Sequence, residues 1–522
     1  MFLGDIPRRN AYRHPERIAI EGDGCTLTWL ALNERINRLA SGLASLGLSK
    51  SDRIAILGTP SIAVVETYFA AAKLGLIIVP IHTGLVEQEV QFLLKDAGVT
   101  AIVADAERAA AFEAAIAAVQ KKIVVGQRAG FVAFEELIAA GAVAEPDVSV
   151  GESDLYAIRF TSGTTGRPKG CPSTHRDWIQ RSIQFLAHIH HSCEDRALLL
   201  SPLSLGVGSS VLMTYSLVGA SMVLSPRFDA TTVLRTIERQ RITTFMVPVP
   251  TLFARLLDDP IIDTVDLSSL RMVGYGGAVF PVPLLLRTLE RFHCDFFGVY
   301  GHLEAGGFST YLLPEDHRLE GLTPEARELR FARLKSCGRE ALQADVRIVD
   351  ENGRELPRGE VGELLVRTEG MLQDYWNRPG EIGKSLKNGW FHTGDAASID
   401  SDGYIFISDR IKDVVRTGGM NVSSLEVENV LIAHPAVAEA AVIGLPDARW
   451  GELLIAVVVR SGHAEAGLEE ALLAYCREHL ANYKVPKRFE FTDTLPKNSM
   501  GKVLKRELRI AYLPSEKEAP VA

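Results

Sequence analysis

The 522-residue chain predicts an α/β fold: a large N-terminal domain of mostly parallel sheets flanked by helices, a β-rich subdomain, and a small mobile α+β domain at the C-terminus. Three observations carry this expectation. Residues 17–150 alternate short apolar strands with amphipathic helices, the rhythm of a parallel sheet covered on both faces. Near residue 343 that rhythm gives way to hairpins with an Asn-Gly turn. From 413 onward a helix–strand–strand–helix–strand–helix order reads as a separate compact unit of about a hundred residues.

In chain order, RIAIEG and TLTW form a hairpin, and LALNERINRLASGLASLGL follows with helical spacing. RIAILG, IIVPI, AIVAD and KIVVG are strands, several of them separated by helix-like stretches. The same rhythm continues through TTFMVPVP, SLRMVGYGG and CDFFGVYG. QADVRIVDENGRELPRGEVGELLVR (343–367) is the hairpin region. In the last unit SSLEVENVLIAH and GLEEALLAYCREHL are helices, VAEAAVIGL, LLIAVVVRSG and KRFEFTD are strands, and a basic helix closes the order.

Bulk properties narrow the function classes. A chain this long predicts more than one domain, and 47% apolar with 23% charged residues is a globular composition. A net charge of −9, with no basic run interleaved with aromatics, argues against nucleic-acid binding. Six cysteines without a CxxC pair support neither a zinc site nor a disulfide framework, and point to a reducing cytoplasm. The first twenty residues lack an apolar signal core. The uncharged run between Arg196 and Arg227 is long enough to cross a bilayer, but Pro202 and its glycines and serines interrupt it. It reads as a buried strand–loop–helix–strand, and no transmembrane segment is expected.

RFTSGTTGRPKG (159–170) follows an apolar strand and combines glycines, hydroxyls and Lys169. Glycines let backbone amides close on oxygens, hydroxyls donate and lysine supplies charge, which suits a polyphosphate. It is not a GxxxxGK[ST] loop, because Pro168 stands where the second glycine belongs and Gly170 follows the lysine.

TSGTTGRPKG (161–170) resembles the phosphate-loop signature of the adenylate-forming superfamily, which holds acyl-CoA synthetases, amino-acid-activating domains and beetle luciferases. GYGGAVF (274–280) resembles its adenine segment, VYGHLEA (299–305) its Tyr-Gly-x-Thr-Glu motif, and GWFHTGD (389–395) its ribose motif. SDRIKDVVRTGGMNVSSLEVE (408–428) resembles the junction between its domains, and LPKNSMGKVLKREL (495–508) the segment with the catalytic lysine. Six motifs in register cover the chain from end to end. The resemblance implies a domain of residues 1–409, a hinge at 410–412 and a small domain at 413–522.

It also implies roles. Thr161, Ser162, Gly163, Thr164, Thr165, Gly166 and Lys169 would hold ATP phosphates. Gly276, Gly277 and Ala278 would border adenine, with Tyr300 stacking on it and Gly301 adjoining. Glu304 would hold Mg²⁺, and Asp395 with Arg410 the ribose. Lys502 would stand between the acid's carboxylate and the α-phosphate, although Lys487, Lys497 and Lys505 are nearby and lysine chemistry alone does not choose among them. Lys412 would act at the hinge that rebuilds the site for the thiol, and Gly418 and Gly419 would lie beside the CoA arm.

Two positions depart from the pattern. Leu303 replaces the threonine before Glu304, and Pro202-Leu203-Ser204-Leu205 replaces a Pro-Leu-Phe-His segment at the carboxylate pocket. The segment 205–211 carries no acid to pair an α-amino group, which disfavours an amino-acid substrate. Leu205, Gly208, Ser209, Val249 and Tyr275 make the expected acyl pocket apolar or small, and Gly208 is expected to open space for a chain. The reading is an ATP- and Mg²⁺-dependent acyl-CoA synthetase acting on a medium- or long-chain fatty acid. Its alternatives are an aryl or alicyclic acid:CoA ligase, an enzyme loading a separate carrier protein, and a nucleotide-binding protein of low activity. An exposed apolar patch on the large domain would support a homodimer.

Overall fold

The computed structural model describes residues 1–161, 168–247, 249–447, 449–462, 467–497 and 503–513. Two compact units emerge: Met1–Asp345 with Val366–Phe391, and Val346–Leu365 with the chain from His392 on. The expected pivot, 410–412, falls inside the second of these.

Counted over the described residues, the first unit holds a nine-stranded and a seven-stranded sheet. In the nine-stranded sheet, Ser221–Leu224, Arg196–Leu199, Thr244–Val247, Met272–Gly276 and Asp295–His302 lie side by side and parallel. The hairpin Ile18–Gly22 with Cys25–Thr28 closes one edge. The seven-stranded sheet carries Arg53–Leu57, Ile77–Pro80, Ala101–Asp105 and Lys121–Val125, and sets Leu155–Thr161 parallel to Ile77–Pro80.

The uncharged run is a strand, Arg196–Leu199, a helix, Gly206–Val218, and a strand, Ser221–Leu224, as expected. Among the described residues no helix is long and apolar enough to cross a membrane. The helix His175–His188 starts on a reciprocal cap between Thr174 and Asp177, which satisfies two otherwise orphaned amides. Its buried face, Trp178 and Phe185, joins the main core with Leu199, Met246 and Phe297.

The strands Ala344–Val349, Gly362–Thr368, Trp390–Ile399, Leu386–Lys387 and Ile405–Arg410 form the β-rich sheet, five strands among the described residues. In the second unit a further sheet pairs Val437–Asp447 with Gly451–Arg460 over ten positions, with Arg488–Thr492 parallel to the latter. The helices Ser424–Ile432, Leu468–His479 and Lys505–Tyr512 accompany it.

One buried carboxylate aligns the leading ends of the parallel strands. Asp195, 4% exposed, accepts from Arg271 Nη2 at 2.8 Å on both oxygens, from Thr243 Oγ1 at 2.9 Å and from the Ser192 amide at 2.9 Å. Arg196, Thr243 and Arg271 stand at or next to the starts of three neighbouring strands. Burial pushes the Asp195 carboxyl up, but hydrogen bonds from His191 and Arg271 more than offset it and hold the group well below the carboxylate range. Burial also keeps His191 below its ordinary value, so at neutral pH the cation facing Asp195 is Arg271.

A depressed folded-state carboxyl contributes stability above its unfolded value, and loses it as pH falls. Asp195→Asn is therefore expected to cost about 2–3 kcal/mol at pH 7. In urea titrations the gap to the unmodified chain narrows below about pH 4. A gap of the same size at pH 3 would contradict the charge argument.

Candidate active site

The phosphate-loop candidate sits where two strands of the first unit meet. Leu155–Thr161 and Lys169–Thr174 run antiparallel, with Thr161 opposite Lys169. Ser162, Gly163, Thr164, Thr165 and Gly166 lie outside the described residues.

Lys169 is already engaged. Its Nζ pairs with Glu381 at 2.8 Å and lies 4.8 Å from the Tyr375 ring centroid. The Tyr375 hydroxyl donates to Glu304 Oε1 at 3.2 Å, and the Glu304 carbonyl accepts from the Leu372 amide at 2.9 Å. Burial and the Glu304 charge push the Tyr375 phenol well above its ordinary value, so it stays a donor. Lys169, Tyr375 and Glu304 thus form one linked row. Cys171 is buried beside it, and burial raises its thiol far above neutrality, which removes it as a nucleophile.

Among the described residues no group of three or more His, Cys, Asp or Glu converges to cage a metal. One carboxylate held at Glu304 fits Mg²⁺, which keeps waters and binds through one or two carboxylates plus phosphate oxygens.

The adenine candidates end two parallel strands. Met272–Gly276 pairs with Asp295–His302, with Gly276 opposite Val299. A Cβ on Gly276 would stand 2.8 Å from Val299 Cγ2 and 3.0 Å from its carbonyl oxygen, so any other residue there would force Val299 to shift. Gly277 adopts φ 75°, and it and Ala278 are exposed just past the strand. Tyr300 is partly exposed with its ring edge-on to His302, and Gly301 is exposed beside it.

The acyl-pocket candidates scatter. Leu205 and Val249 are partly exposed, and Leu205 precedes the helix Gly206–Val218 without a side-chain cap. Ser209 is fully buried and donates to the Leu205 carbonyl at 2.9 Å. Gly208 opens no space for a chain, contrary to expectation: a Cβ there would stand 2.2 Å from the Pro202 carbonyl oxygen. The glycine lets the helix start pack on the preceding loop.

Tyr275 is 7% exposed, its ring against Gly298 and its hydroxyl 2.8 Å from His317 Nε2. His317 Nδ1 faces the Leu313 carbonyl, an acceptor, so Nδ1 carries the proton and Nε2 accepts from the phenol. Burial pushes His317 down to about 4, which keeps it neutral.

The second unit holds the ribose candidates. Asp395 and Arg410 are directly opposed on paired strands. Asp395 is 3% exposed, and Arg410 Nε bonds its Oδ1 at 2.7 Å while Nη1 donates to the Thr393 carbonyl at 3.1 Å. Lys412 is exposed. Gly418 and Gly419 take φ 57° and 77° in a two-residue turn between Val415–Thr417 and Met420–Val422. Positive φ at both positions is a hairpin requirement that glycine meets without strain. Trp450 packs over that turn, its carbonyl accepting from the Gly418 amide at 2.7 Å.

Lys502 lies outside the described residues. Its flanks are pinned, Lys497 to Val503 by a β-bridge and the Leu504 amide to the Pro496 carbonyl. The competing lysines are committed elsewhere. Lys497 pairs with Glu439, Lys505 with Glu428, and Lys487 donates to the Asn482 carbonyl.

Sequence reasoning misses Tyr375, Glu381 and Asp409. Tyr375 and Glu381 lie in DYWNRPGE, an aromatic turn without a motif of its own. Asp409, 5% exposed, accepts from the Ser424 hydroxyl at 2.7 Å and its amide, holding the start of Ser424–Ile432 beside Arg410.

A family model described as "AMP-binding enzyme" matches residues 7–376, and one described as "AMP-binding enzyme C-terminal domain" matches 426–502. The chain is 36% identical over 509 residues to a feruloyl-CoA synthase of Amycolatopsis sp, covering 97% of this chain and 98% of that one. It is 33% identical over 506 residues to the long-chain-fatty-acid–CoA ligase FadD13 of Mycobacterium tuberculosis (strain ATCC 25618 / H37Rv), covering 97% and 96%. The anthranilate CoA ligase AuaEII in complex with anthranoyl-AMP superposes with a TM-score of 0.88 at 27% identity, covering 98% and 97%.

The Asp395 pair gives a test that needs no substrate. Arg410→Met removes the guanidinium bonded to this buried carboxylate, and is expected to lower stability by about 2–3 kcal/mol in urea titrations. Arg410→Lys keeps the charge but not the fork, and recovers part of the loss. Equal stability of all three chains would show that the pair contributes nothing.

Proposed function

This chain belongs to the AMP-binding enzyme family and is an acid–CoA ligase of the adenylate-forming superfamily, and we propose that it activates an apolar carboxylic acid. ATP and the acid give an acyl-adenylate and pyrophosphate, and CoA then takes the acyl group and releases AMP. The linked row Lys169–Tyr375–Glu304 beside the phosphate loop is the observation that carries the reading.

Each residue has a task in it. Thr161, Ser162, Gly163, Thr164, Thr165, Gly166 and Lys169 close on the β- and γ-phosphates, with Lys169 exchanging Glu381 for phosphate. Glu304 would hold Mg²⁺, which would supply positive charge to the phosphate oxygens. Adenine sits between Gly276, Gly277 and Ala278 on one side and Tyr300 with Gly301 on the other. Asp395, oriented by Arg410, accepts from the ribose hydroxyls. Lys502 stands between the two anions, the carboxylate and the α-phosphate, where positive charge lowers the barrier. For the thiol step the segment 410–412, with Lys412 exposed in it, is the pivot, and the Gly418–Gly419 turn lies beside the CoA arm. Six free cysteines suit a reducing compartment, and the cytoplasm is where the reaction belongs.

The favoured acid is compact and aromatic. Neither Gly208 nor Tyr275 opens a channel, because the Pro202 carbonyl and the bond to His317 use that space. Similarity to a feruloyl-CoA synthase and to an anthranilate CoA ligase supports the same choice. A medium- or long-chain fatty acid is the second reading, favoured by the apolar Leu205 and Val249 and by similarity to FadD13.

With ATP, Mg²⁺ and CoA, AMP release from ferulate, benzoate and indole-3-acetate is expected to exceed that from octanoate and palmitate by at least about tenfold. Preference for palmitate would reverse the ranking. No acid-dependent AMP from any of them would remove the acid-activating reading.

A further inference from the structure

Arg159 is a charge that the fold does not need. It lies in the strand Leu155–Thr161, two residues before the phosphate loop, where every neighbour in the strand is apolar or hydroxylated. Only 4% of it is exposed, no carboxylate among the described residues pairs with it, and its Nε is buried without a hydrogen-bond partner. Its guanidinium carbon stands 4.5 Å from the Trp178 ring centroid. That contact offsets only part of the cost of burying a cation.

The neighbourhood makes the cost larger. Arg181, on the same helix as Trp178, has Nε and Nη1 buried without partners. Burial, and then the Arg181 charge, push the Arg159 guanidinium down to about 9. The Asp177 charge reaches both guanidiniums, but among the described residues no carboxylate forms an ion pair with either, and two neighbouring cations left so suit an anion that arrives from outside.

The surroundings of the Arg159 tip are defined on one side. A Cβ built on Gly206 would stand 3.4 Å from Leu303 Cδ2 and 3.8 Å from Arg159 Nη1. Gly206 opens the 13-residue helix Gly206–Val218, and Leu205 before it provides no side-chain cap. The start of that helix therefore lies near the guanidinium, and a helix start favours an anion. Leu205 and Leu303 bring no donor to this space, while Glu304, the Mg²⁺ candidate, follows Leu303 directly. The Arg159 tip thus lies at the start of the helix that carries Gly208 and Ser209 of the expected acyl pocket, within the first unit.

We propose that Arg159 is a catalytic residue whose guanidinium binds the reacting carboxylate of the acid and presents it to the α-phosphorus of ATP. The assignment rests on the adenylation reading above. A carboxylate oxygen forms the bond to the α-phosphorus, the bond from that phosphorus to the bridging oxygen of the β-phosphate breaks, and pyrophosphate leaves with the electron pair. No proton moves, and Arg159 stays protonated. As the carboxylate becomes an acyl phosphate, the guanidinium holds its carbonyl oxygen. The planar fork matches a carboxylate as a lysine ammonium does not.

The test uses the full chain and acid-dependent pyrophosphate release, with ferulate, indole-3-acetate and octanoate as monocarboxylic acids and adipate as a diacid. Arg159→Met is expected to lower kcat/KM for every monoacid at least about 100-fold and to leave the KM for ATP within about threefold. Its Tm stays level or rises, because an unpaired buried charge has been removed. Arg159→Lys keeps the charge without the fork and is expected to lose about tenfold, which remains readable if the methionine variant does not fold.

Monoacid turnover of Arg159→Met within about threefold of the unmodified chain overturns the assignment. So does a loss confined to adipate, which would make Arg159 a receptor for a second carboxylate. A parallel fall of Tm and turnover in both variants also overturns it, by showing a packing role. An unmodified chain that releases no pyrophosphate with any acid overturns the ligase reading and this assignment with it. An active unmodified chain beside an unimpaired Arg159→Met removes only the assignment.

Discussion

The Asp195–Arg271 pair sets the geometry on which the candidate site of the first unit depends. A parallel sheet collects its functional loops at the carboxyl ends of its strands, and those ends meet only if the opposite ends are aligned. Asp195 ties Ser192, Thr243 and Arg271 together at the leading ends. The trailing ends then deliver Leu205, Val249, Gly277 and Leu303 with Glu304 from four neighbouring strands. Burying this carboxylate is costly alone, and its ring of donors makes it an anchor.

The distribution of positive charge decides how the chemistry can run. Two anions must approach each other, so the cations that are free to meet them matter more than the number of cations. Lys169 is held by Glu381 and must change partners. Lys497 and Lys505 are held by Glu439 and Glu428. Arg410 serves Asp395. Arg159, among the described residues, forms no ion pair with a carboxylate and stands at Gly206, which also adjoins Leu303. A charge kept in the interior without a partner lowers stability, and such a cost persists where function uses the charge.

Much of the fold was legible because hydrophobic periodicity and turn residues are local signals. The uncharged run 197–226 resolved as strand, helix and strand because Pro202 and the glycines forbid one continuous helix. The Gly418–Gly419 turn was expected to serve a ligand, and its positive φ values show that the hairpin itself requires glycine. Gly208 misled for a related reason: a missing side chain in sequence does not say whether ligand or backbone fills the gap, and here the Pro202 carbonyl does. The Tyr375–Glu304 bond joins residues 71 apart, and no short motif encodes it. In the sequence Arg159 reads with the loop segment 159–170 that follows a strand; its place inside Leu155–Thr161, against Trp178 and near the Arg181 charge, emerges only in the packed structure.

Activation of the acid before the thiol enters is the claim on which every residue role turns. The direct measurement is exchange of labelled pyrophosphate into ATP, driven by ferulate with Mg²⁺ and without CoA, in the unmodified chain and in Lys502→Ala. Exchange that depends on the acid, proceeds without CoA and falls at least about 100-fold in Lys502→Ala is the predicted result. Turnover that appears only when CoA is present, with no exchange in its absence, would contradict an acyl-adenylate formed ahead of the thioester.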